Sequence, residues 1–335
     1  MIQEYRGRAS ASIENENLRV TVLREGGHVA ELLHKPSGVN PLWTPPWSSI
    51  EPSLYDAVRH PEYGSGVESK LLCGIMGHNL CLDIFGGPSE AEAAQGLGVH
   101  GEGSVAPYEI EVSGNRMVCR ATFPISQIRF ERTLELRGNA VEIAESVESL
   151  VSFDRPIGWT QHVTFGPPFV ECGVTRFELS ATRSLVFEGA FGAHDYLDPG
   201  AVFDWPSAPR IGGSAVDLRT FNSAPQSSAY TAHLMDPSHD EAWFTASHPR
   251  LGVALEYRWR RADFPWLGIW EENRSRAGAP WNARTITRGM EFGVSPIPET
   301  REQMTARGPL FGERTCAWLP ANGRLEARYL ARFVT

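Results

Sequence analysis

Long apolar runs are absent from this sequence of 335 residues, and no stretch approaches the roughly 18 consecutive apolar residues that would span a bilayer. The N-terminal residues lack the apolar segment of a secretory signal. Basic residues are also too few to favour nucleic acid or anionic lipid, because 31 Lys and Arg stand against 40 Asp and Glu, a net charge of −9. We therefore expect a cytoplasmic protein whose partner is a small neutral molecule, with no nucleic acid and no membrane involved.

Cysteine is scarce, and the five cysteines are odd in number and widely scattered, which disfavours a disulfide framework and favours a reducing compartment. Cys73, His78 and Cys81 lie close together in the sequence but lack the paired C-x-x-C spacing of a structural zinc site. No glycine fingerprint sits in a βαβ unit, and no serine nucleophile elbow is complete. We expect no cofactor and no bound metal.

Helical periodicity is nearly missing, and residues 89–95 (SEAEAAQ) are the one segment with the pattern of one or two helical turns. Elsewhere, apolar residues alternate with polar ones on both sides of short Gly/Asn turns, at 113–115 and 137–139. This alternation predicts antiparallel hairpins, because a helix with the same pattern would spread its apolar residues around all sides. The predicted hairpins and the closing strand cover residues 108–123, 128–150, 241–259 and 324–335.

Two segments rich in Trp, Tyr and Pro, residues 41–66 and 192–214, are predicted to be long ordered loops near a binding face. The chain has no repeat, charge run or visible linker, and it is long enough to bury a large core without disulfides. These features predict one all-β domain over residues 1–335, built on a broad antiparallel sheet.

Three residues are candidates for acid–base chemistry. His100 lies between glycines that would expose its imidazole to a ligand, although a histidine in a surface turn fits equally well. His162 lies on the polar face of a predicted strand, WTQHVTF, and that face either meets water or lines a cleft. Glu291, in RGMEFG, is either an ion-pair partner, of Arg288 for instance, or a base whose pKa burial raises toward neutrality.

Tryptophans crowd the segment FPWLGIWEENR, which contains Trp266 and Trp270. Flat indole faces suit the C–H surfaces of pyranose rings in a sugar-binding cleft, but aromatic residues fill sandwich cores as well. Trp270 is therefore a candidate sugar contact.

Taken in order, these segments resemble the galactose mutarotase-like (aldose 1-epimerase-like) family. The opening segment LRVTVLREGGHVAELLHKPSGVNPLW resembles that family's start, GVHGEG its first histidine motif, QHVTFGPP its second, and RGMEFG its late glutamate strand. Each landmark is short, but together they extend in order across essentially the whole chain. The resemblance implies a large antiparallel β-supersandwich whose concave face holds a sugar.

In enzymes of that family, a glutamate removes the proton of the anomeric hydroxyl while a histidine protonates the ring oxygen, so the ring opens and recloses as the other anomer. By motif, the resemblance makes Glu291 the base, His162 the acid and His100 a hydrogen-bond partner that orients the sugar. The activity that the resemblance implies is that of an aldose 1-epimerase, which needs no cofactor.

Two motifs depart from the family pattern. The first reads HGE where His-Gly-Gly is commoner, so Glu102 is a candidate contact that alters the pocket. The late stretch AYTAHLMD offers His233 and Asp236 without the usual aspartate beside a histidine. Arg59, Asp83 and His233 are further candidate substrate contacts.

Two other functions stay open at the level of sequence. The altered late motif is compatible with a carbohydrate-binding protein of the same fold that lacks catalysis. His100 and Glu102 form an H-x-E half-site, which together with the nearby cysteines and histidine is compatible with a metal-dependent sugar isomerase. The identity of the sugar, its phosphorylation and the oligomeric state are not fixed by these residues.

Overall fold

The computed structural model describes residues 3–334, and strands make up most of its regular structure. The strands are β1 (Gln3–Tyr5), β2 (Arg8–Glu14), β3 (Leu18–Leu23), β4 (Val29–His34), β5 (His78–Asp83), β6 (Glu109–Ser113), β7 (Arg116–Phe123), β8 (Ile128–Arg137), β9 (Ala140–Ser149), β10 (Arg155–Phe165), β11 (Arg176–Leu179), β12 (Ala181–Val186), β13 (Val202–Asp204), β14 (Ser207–Pro209), β15 (Ala215–Asp217), β16 (Ser227–Met235), β17 (Glu241–His248), β18 (Val253–Arg260), β19 (Trp266–Asn273), β20 (Ile286–Gly293), β21 (Ala317–Leu319) and β22 (Arg324–Val334). The all-β prediction is confirmed.

Helices are short throughout the described range. They are α1 (Ser69–Leu72), α2 (Glu90–Ala94) and α3 (Arg301–Arg307), with single 3₁₀ turns at Pro52–Leu54, Pro61–Tyr63 and Glu102–Ser104. In residues 3–334, no helix is long and apolar enough to cross a membrane. The predicted helical turn at 89–95 is α2, which begins after Ser89, whose side chain accepts a hydrogen bond from the Glu92 N–H.

The strands form two large antiparallel sheets. The twelve-stranded sheet has the order β1-β2-β3-β4-β5-β10-β20-β19-β16-β12-β13, with β21 paired to β10, and the eight-stranded sheet has the order β11-β17-β18-β22-β9-β8-β7-β6. Strand β10 lies between β5 and β20, so strands from the start, the middle and the end of the chain are neighbours. This long-range pairing brings residues that are far apart in sequence to one place in the sheet.

The predicted hairpins are confirmed in the eight-stranded sheet. Strands β6 and β7 pair up to the turn at Gly114, and β8 and β9 pair up to the turn at Gly138. Both glycines have positive φ, +60° and +57°, the conformation that such tight turns require and that glycine adopts without strain. Strands β17 and β18 form the third hairpin, and β22 lies between β18 and β9.

The prediction of a loop over 192–214 is wrong for part of that segment. It contains β13, which pairs with β12 at the edge of the twelve-stranded sheet, and β14, which pairs with β15. Three-residue strands are too short to show an alternating pattern, and buried Phe203 has only one neighbour on each side in its strand. Residues 41–66 are irregular apart from two 3₁₀ turns, as predicted.

Aromatic side chains hold the two sheets together. Phe292 on β20 stacks on Trp259 of β18, with ring centroids 4.3 Å apart and planes 16° from parallel. The same ring meets Tyr329 of β22 edge-on at 5.3 Å. Phe292 is fully buried, and it lies next to Glu291, whose side chain points to the opposite face of the strand.

A buried polar cluster also joins the sheets, directly behind His162. The carboxylate of Glu145 on β9 pairs with Arg132 at 2.7 Å and accepts hydrogen bonds from Gln161 at 2.6 Å and Tyr329 at 2.8 Å. Burying a carboxylate is costly unless its oxygens are fully hydrogen-bonded, and here they are. Because Gln161 belongs to β10, the cluster fixes the strand that carries His162.

Replacing Phe292 by alanine tests how much this contact between the sheets contributes. We expect Phe292→Ala to lower the free energy of unfolding by about 3–5 kcal/mol, because it leaves a cavity at a fully buried site. Phe153, which is 60% exposed, provides the matched control, and Phe153→Ala should change the stability by less than about 0.5 kcal/mol. Chemical denaturation of both variants measures the difference, and equal losses would contradict this packing.

Candidate functional site

A cavity of about 190 Å³ lies on the face of the twelve-stranded sheet that points away from the eight-stranded sheet. Strands β10, β19 and β20 form its floor, and the walls come from residues 68–75, 85–100, 191 and 276–281. Sites for drug-sized ligands occupy roughly 300–1,000 Å³, so this cavity suits a smaller molecule. His100, His162, Trp270 and Glu291 all line it.

Strand register places the two central titratable groups side by side. His162 on β10 is directly opposite Glu291 on β20. Their side chains leave the same face of the sheet, and His162 Nε2 lies 3.1 Å from Glu291 Oε1. On its other side, His162 Nδ1 is 2.9 Å from Thr164 Oγ1, which fixes the plane of the ring.

Two glycines leave space for Glu291 and for Tyr230 beside it. Gly289 precedes it by two residues on the same face of β20, and a Cβ there would lie 2.5 Å from Glu291 Oε1. Gly268, on β19, is the cross-strand neighbour of Glu291, and a Cβ there would lie 2.1 Å from the Tyr230 hydroxyl oxygen. Any larger residue at either position would push the carboxylate or the tyrosine out of place.

Burial shifts the protonation of both groups. It raises the pKa of the Glu291 carboxyl well above its usual value. It lowers the pKa of the His162 imidazole well below its usual value, and His100 nearby adds to that effect. Withdrawal from water disfavours the charged form of each group, so the pair holds one proton between them and titrates as a unit.

His100 completes the cluster from a loop. It has a positive φ of +68°, a conformation that histidine tolerates better than most residues, and its ring is 5.3 Å from that of His162. His100 Nδ1 is 2.6 Å from the Phe85 carbonyl oxygen, which can only accept, so Nδ1 carries the hydrogen and Nε2 is left as an acceptor. Burial lowers the pKa of His100 to about 4, so its ring is neutral near pH 7.

Aromatic rings form much of the cavity wall. Trp270 meets the His162 ring at 5.7 Å and meets Trp281 edge-on at 5.9 Å. Phe85 lies beside His100, with ring centroids 6.1 Å apart. Such a wall offers apolar faces to the C–H surfaces of a ligand whose polar groups meet the imidazoles and the carboxyl.

Four predicted contact residues lie outside this cavity: Arg59, Asp83, Glu102 and His233. Arg59 is exposed and lies 3.7 Å from Asp56, in a surface turn. Glu102 accepts hydrogen bonds from the N–H groups of Ser126 at 2.7 Å and Ile125 at 3.3 Å, so its carboxylate holds a neighbouring turn. Neither side chain faces the ligand space.

Asp83 and His233 have structural partners of their own. The Asp83 carboxylate is held between Arg155 at 2.6 Å and Arg301 at 2.7 Å. His233 lies between the hydroxyls of Ser184 and Thr231, each 2.8 Å away. It points to the opposite face of β16 from Tyr230, so its strand faces the cavity but its side chain does not.

The described part of the chain offers no cluster of side chains for the metal site of the alternative hypothesis. Residues 3–334 contain no group of three or more His, Cys, Asp or Glu side chains placed to hold a metal ion. The imidazole of His78 is engaged instead by Gln161 at 3.1 Å. His100 and Glu102 point in different directions, to the cavity and to a backbone turn.

The cavity residues that the sequence did not predict include Phe85, Phe191, Arg276 and Trp281. Arg276 and Trp281 lie in the connection between β19 and β20, the two strands that carry Trp270 and Glu291. A prediction of β19 and β20 as one hairpin would have placed their connection close to Trp270 and Glu291. Phe85 and Phe191 follow strands β5 and β12, and no local pattern shows where those loops fold back.

A larger depression of about 600 Å³ lies on the outer face of the eight-stranded sheet. Its lining consists mainly of Arg and Glu side chains, paired for example as Arg258 with Glu241 at 2.7 Å and Arg137 with Glu142 at 2.9 Å. It contains no histidine. Its charges are already neutralised by one another, so it offers little acid–base chemistry.

No family model matches the chain, and no curated protein matches it. Solved structures do match. A candidate aldose 1-epimerase from Klebsiella pneumoniae has 12% identity and a TM-score of 0.67, over 99% of this chain and 81% of that one. A candidate aldose 1-epimerase from Escherichia coli K12 has 12% identity and a TM-score of 0.64, over 98% and 99%.

A galactose mutarotase related enzyme from Lactobacillus acidophilus matches 97% of this chain and 97% of its own, with 12% identity and a TM-score of 0.60. At these identities the likeness shows the fold. The chain has the galactose mutarotase-like fold, as the resemblance of its motifs implied.

Asp83→Asn tests the structural role that the geometry gives to Asp83. We expect it to lower the free energy of unfolding by about 2 kcal/mol, because it leaves two guanidinium groups without their carboxylate, although both are partly exposed. Asp56→Asn, at an exposed carboxylate, is the control and should have little effect. Chemical denaturation measures both, and unchanged stability in Asp83→Asn would contradict this assignment.

Proposed function

We propose that this protein is an aldose 1-epimerase that interconverts the anomers of a small sugar by acid–base catalysis. The observation that carries the proposal is the 3.1 Å contact between His162 Nε2 and Glu291 Oε1 on the floor of an aromatic-walled cavity. The anomeric hydroxyl oxygen and the ring oxygen of a pyranose are bonded to the same carbon. A proton acceptor and a proton donor that lie side by side can therefore serve both oxygens at once.

The reaction starts from the tautomer with a carboxylate and an imidazolium. Glu291 takes the proton of the anomeric hydroxyl while the bond between C1 and the ring oxygen breaks and His162 protonates that oxygen. The free aldehyde rotates about its C1–C2 bond. On reclosure, the hydroxyl returns its proton to His162, the carbonyl oxygen regains one from Glu291, and the other anomer leaves with the enzyme unchanged.

The shared proton makes this tautomer accessible. Net charge is zero whether the proton lies on the Glu291 carboxyl or on the His162 ring, so moving it between them brings no net charge into the buried site. The raised pKa of Glu291 also makes its carboxylate a stronger base than that of an ordinary glutamate.

His100 orients the sugar in this proposal. Its Nδ1 hydrogen is held by the Phe85 carbonyl, so Nε2 can accept a hydrogen bond from a sugar hydroxyl. Trp270 and Trp281 provide flat apolar surfaces for the C–H face of the ring. The cavity volume of about 190 Å³ favours a monosaccharide over a longer chain.

Removing either proton-transfer group tests the proposal. We expect Glu291→Gln and His162→Asn each to lower kcat for anomer exchange by roughly 10²–10⁴-fold, the usual contribution of one general acid or base. Exchange NMR on a panel of aldoses measures the rate at equilibrium, without a coupled assay.

Glu31→Gln is the matched control, because Glu31 is a buried carboxylate on the same sheet, paired with Arg19 and outside the cavity. It should leave the exchange rate within about threefold of the unaltered protein, a loss of less than about 0.7 kcal/mol in transition-state stabilisation. Saturable binding of aldoses without faster exchange than in buffer would refute catalysis and indicate a carbohydrate-binding protein instead.

The pH profile of kcat/KM provides an independent check. The active pair holds one proton, so activity falls in acid when the pair gains a second one and falls in alkali when it loses the last. Because burial lowers the pKa of His162, the acid limb should lie below the usual range of histidine. Because burial raises the pKa of Glu291, the alkaline limb should lie above the usual range of a carboxylate. An acid limb at or above the ordinary histidine range would contradict this account.

A further inference from the structure

Arg276 is a cation in the cavity that proton transfer does not use. It lines the same cavity as His100, His162 and Glu291. Its guanidinium carbon lies 4.8 Å from the Trp281 ring centroid, 5.6 Å from that of Trp270 and 5.8 Å from that of Phe191. Three aromatic rings therefore hold the side chain beside the ligand space by cation–π contact and dispersion.

The side-chain N–H groups of Arg276 make only long contacts within the protein. Its Nη2 lies 3.4 Å from the Phe191 carbonyl oxygen, and its Nε lies 3.5 Å from Glu272 Oε2. The side chain of Arg276 is 26% exposed, whereas fully buried guanidinium groups are bound at shorter distances: Arg132 meets Glu145 at 2.7 Å, and Arg288 meets Glu271 at 2.8 Å. A fork of N–H groups held in place but left largely unbonded is suited to a ligand with paired acceptor oxygens.

None of the groups that line the cavity forms an ion pair with this cation. The His162–Glu291 pair is neutral as a whole, and His100 is neutral near pH 7. Glu272 lies outside the cavity lining: its Oε1 is bound by backbone N–H groups, and its Oε2, 3.5 Å from Arg276 Nε, offsets part of the guanidinium charge from behind. Glu68 is the remaining anion of the lining, and it is exposed. Net charge over the whole chain is −9, but the ligand space itself carries a fixed positive group.

We propose that the substrate of this site carries an oxyanion substituent, a carboxylate or a phosphate, which Arg276 binds while His162 and Glu291 act on the anomeric centre. This inference rests on the proposed function and narrows its substrate class. A guanidinium binds a carboxylate or a phosphate through two parallel N–H···O bonds. The geometry therefore indicates an anion with paired oxygens and fits both groups equally well.

The test compares charged sugars with their neutral counterpart. Glucuronate, glucose 6-phosphate and glucose are assayed by exchange NMR with the unaltered protein and with Arg276→Gln. We expect a higher kcat/KM for at least one charged sugar than for glucose. Arg276→Gln should lower that kcat/KM roughly ten- to a hundredfold more than it lowers the value for glucose, as the loss of a charge-assisted hydrogen bond predicts. The two charged sugars distinguish carboxylate from phosphate.

Two further variants separate recognition from packing. Arg276→Lys keeps the charge but loses the planar fork, so it should recover part of the preference for charged sugars. Arg274→Gln removes one positive charge from the same connection, at an exposed side chain outside the cavity, and should leave the preference unchanged. If Arg276 only supported the tryptophans, its replacement would lower kcat/KM for charged and neutral sugars by the same factor, which would overturn the inference.

Binding measurements keep the two proposals distinguishable. In Glu291→Gln, calorimetry should detect binding of a charged sugar that the further change Arg276→Gln weakens. If the unaltered protein bound the charged sugar in this way but did not speed anomer exchange, the epimerase proposal would be refuted and the proposal of an anionic ligand would stand. Anomer exchange with equal kcat/KM for all three sugars would support the epimerase proposal and refute the proposal of an anionic substrate. Neither exchange nor binding would refute both.

Discussion

The register between β10 and β20 is the constraint on which the site depends. It sets His162 opposite Glu291, and a slip by one residue in either strand would turn one of the two side chains into the core. Contacts on the core side prevent that slip: Phe292 stacks between the sheets, and Gln161 is bonded to the buried carboxylate of Glu145. The same interior that stabilises the fold therefore positions a donor and an acceptor 3.1 Å apart on the other face.

Local pattern in the sequence predicted the hairpins and the face of β10 that carries His162. Alternation along WTQHVTF assigns Thr160, His162 and Thr164 to one side of a strand, and the structure puts that side toward the cavity. Gly289, two residues before Glu291 in RGMEFG, also has a local reason, since a Cβ there would collide with the carboxylate. Motif order then suggested that His100 lies near these residues, as the structure shows.

The alternation of polar and apolar residues could not predict whether the other candidate contact residues face the cavity. Strand β16 is buried on both faces, so its pattern could not show that Tyr230 faces the cavity side while His233 points to the other face. Asp83 is held by Arg155 and Arg301, partners that no spacing in the sequence reveals. Arg276 lies in a connection without regular structure, and only the pairing of β19 with β20 places it beside Glu291.

In the proposed mechanism, a sugar binds with its anomeric centre between His162 and Glu291. A crystal structure of the protein with a bound aldose tests this most directly. It should show the anomeric oxygen about 3 Å from the Glu291 carboxylate and the ring oxygen about 3 Å from His162 Nε2, with the flat face of the ring against the tryptophans. Sugar density confined to the charged depression on the eight-stranded sheet, with the histidine-lined cavity unchanged, would contradict the account.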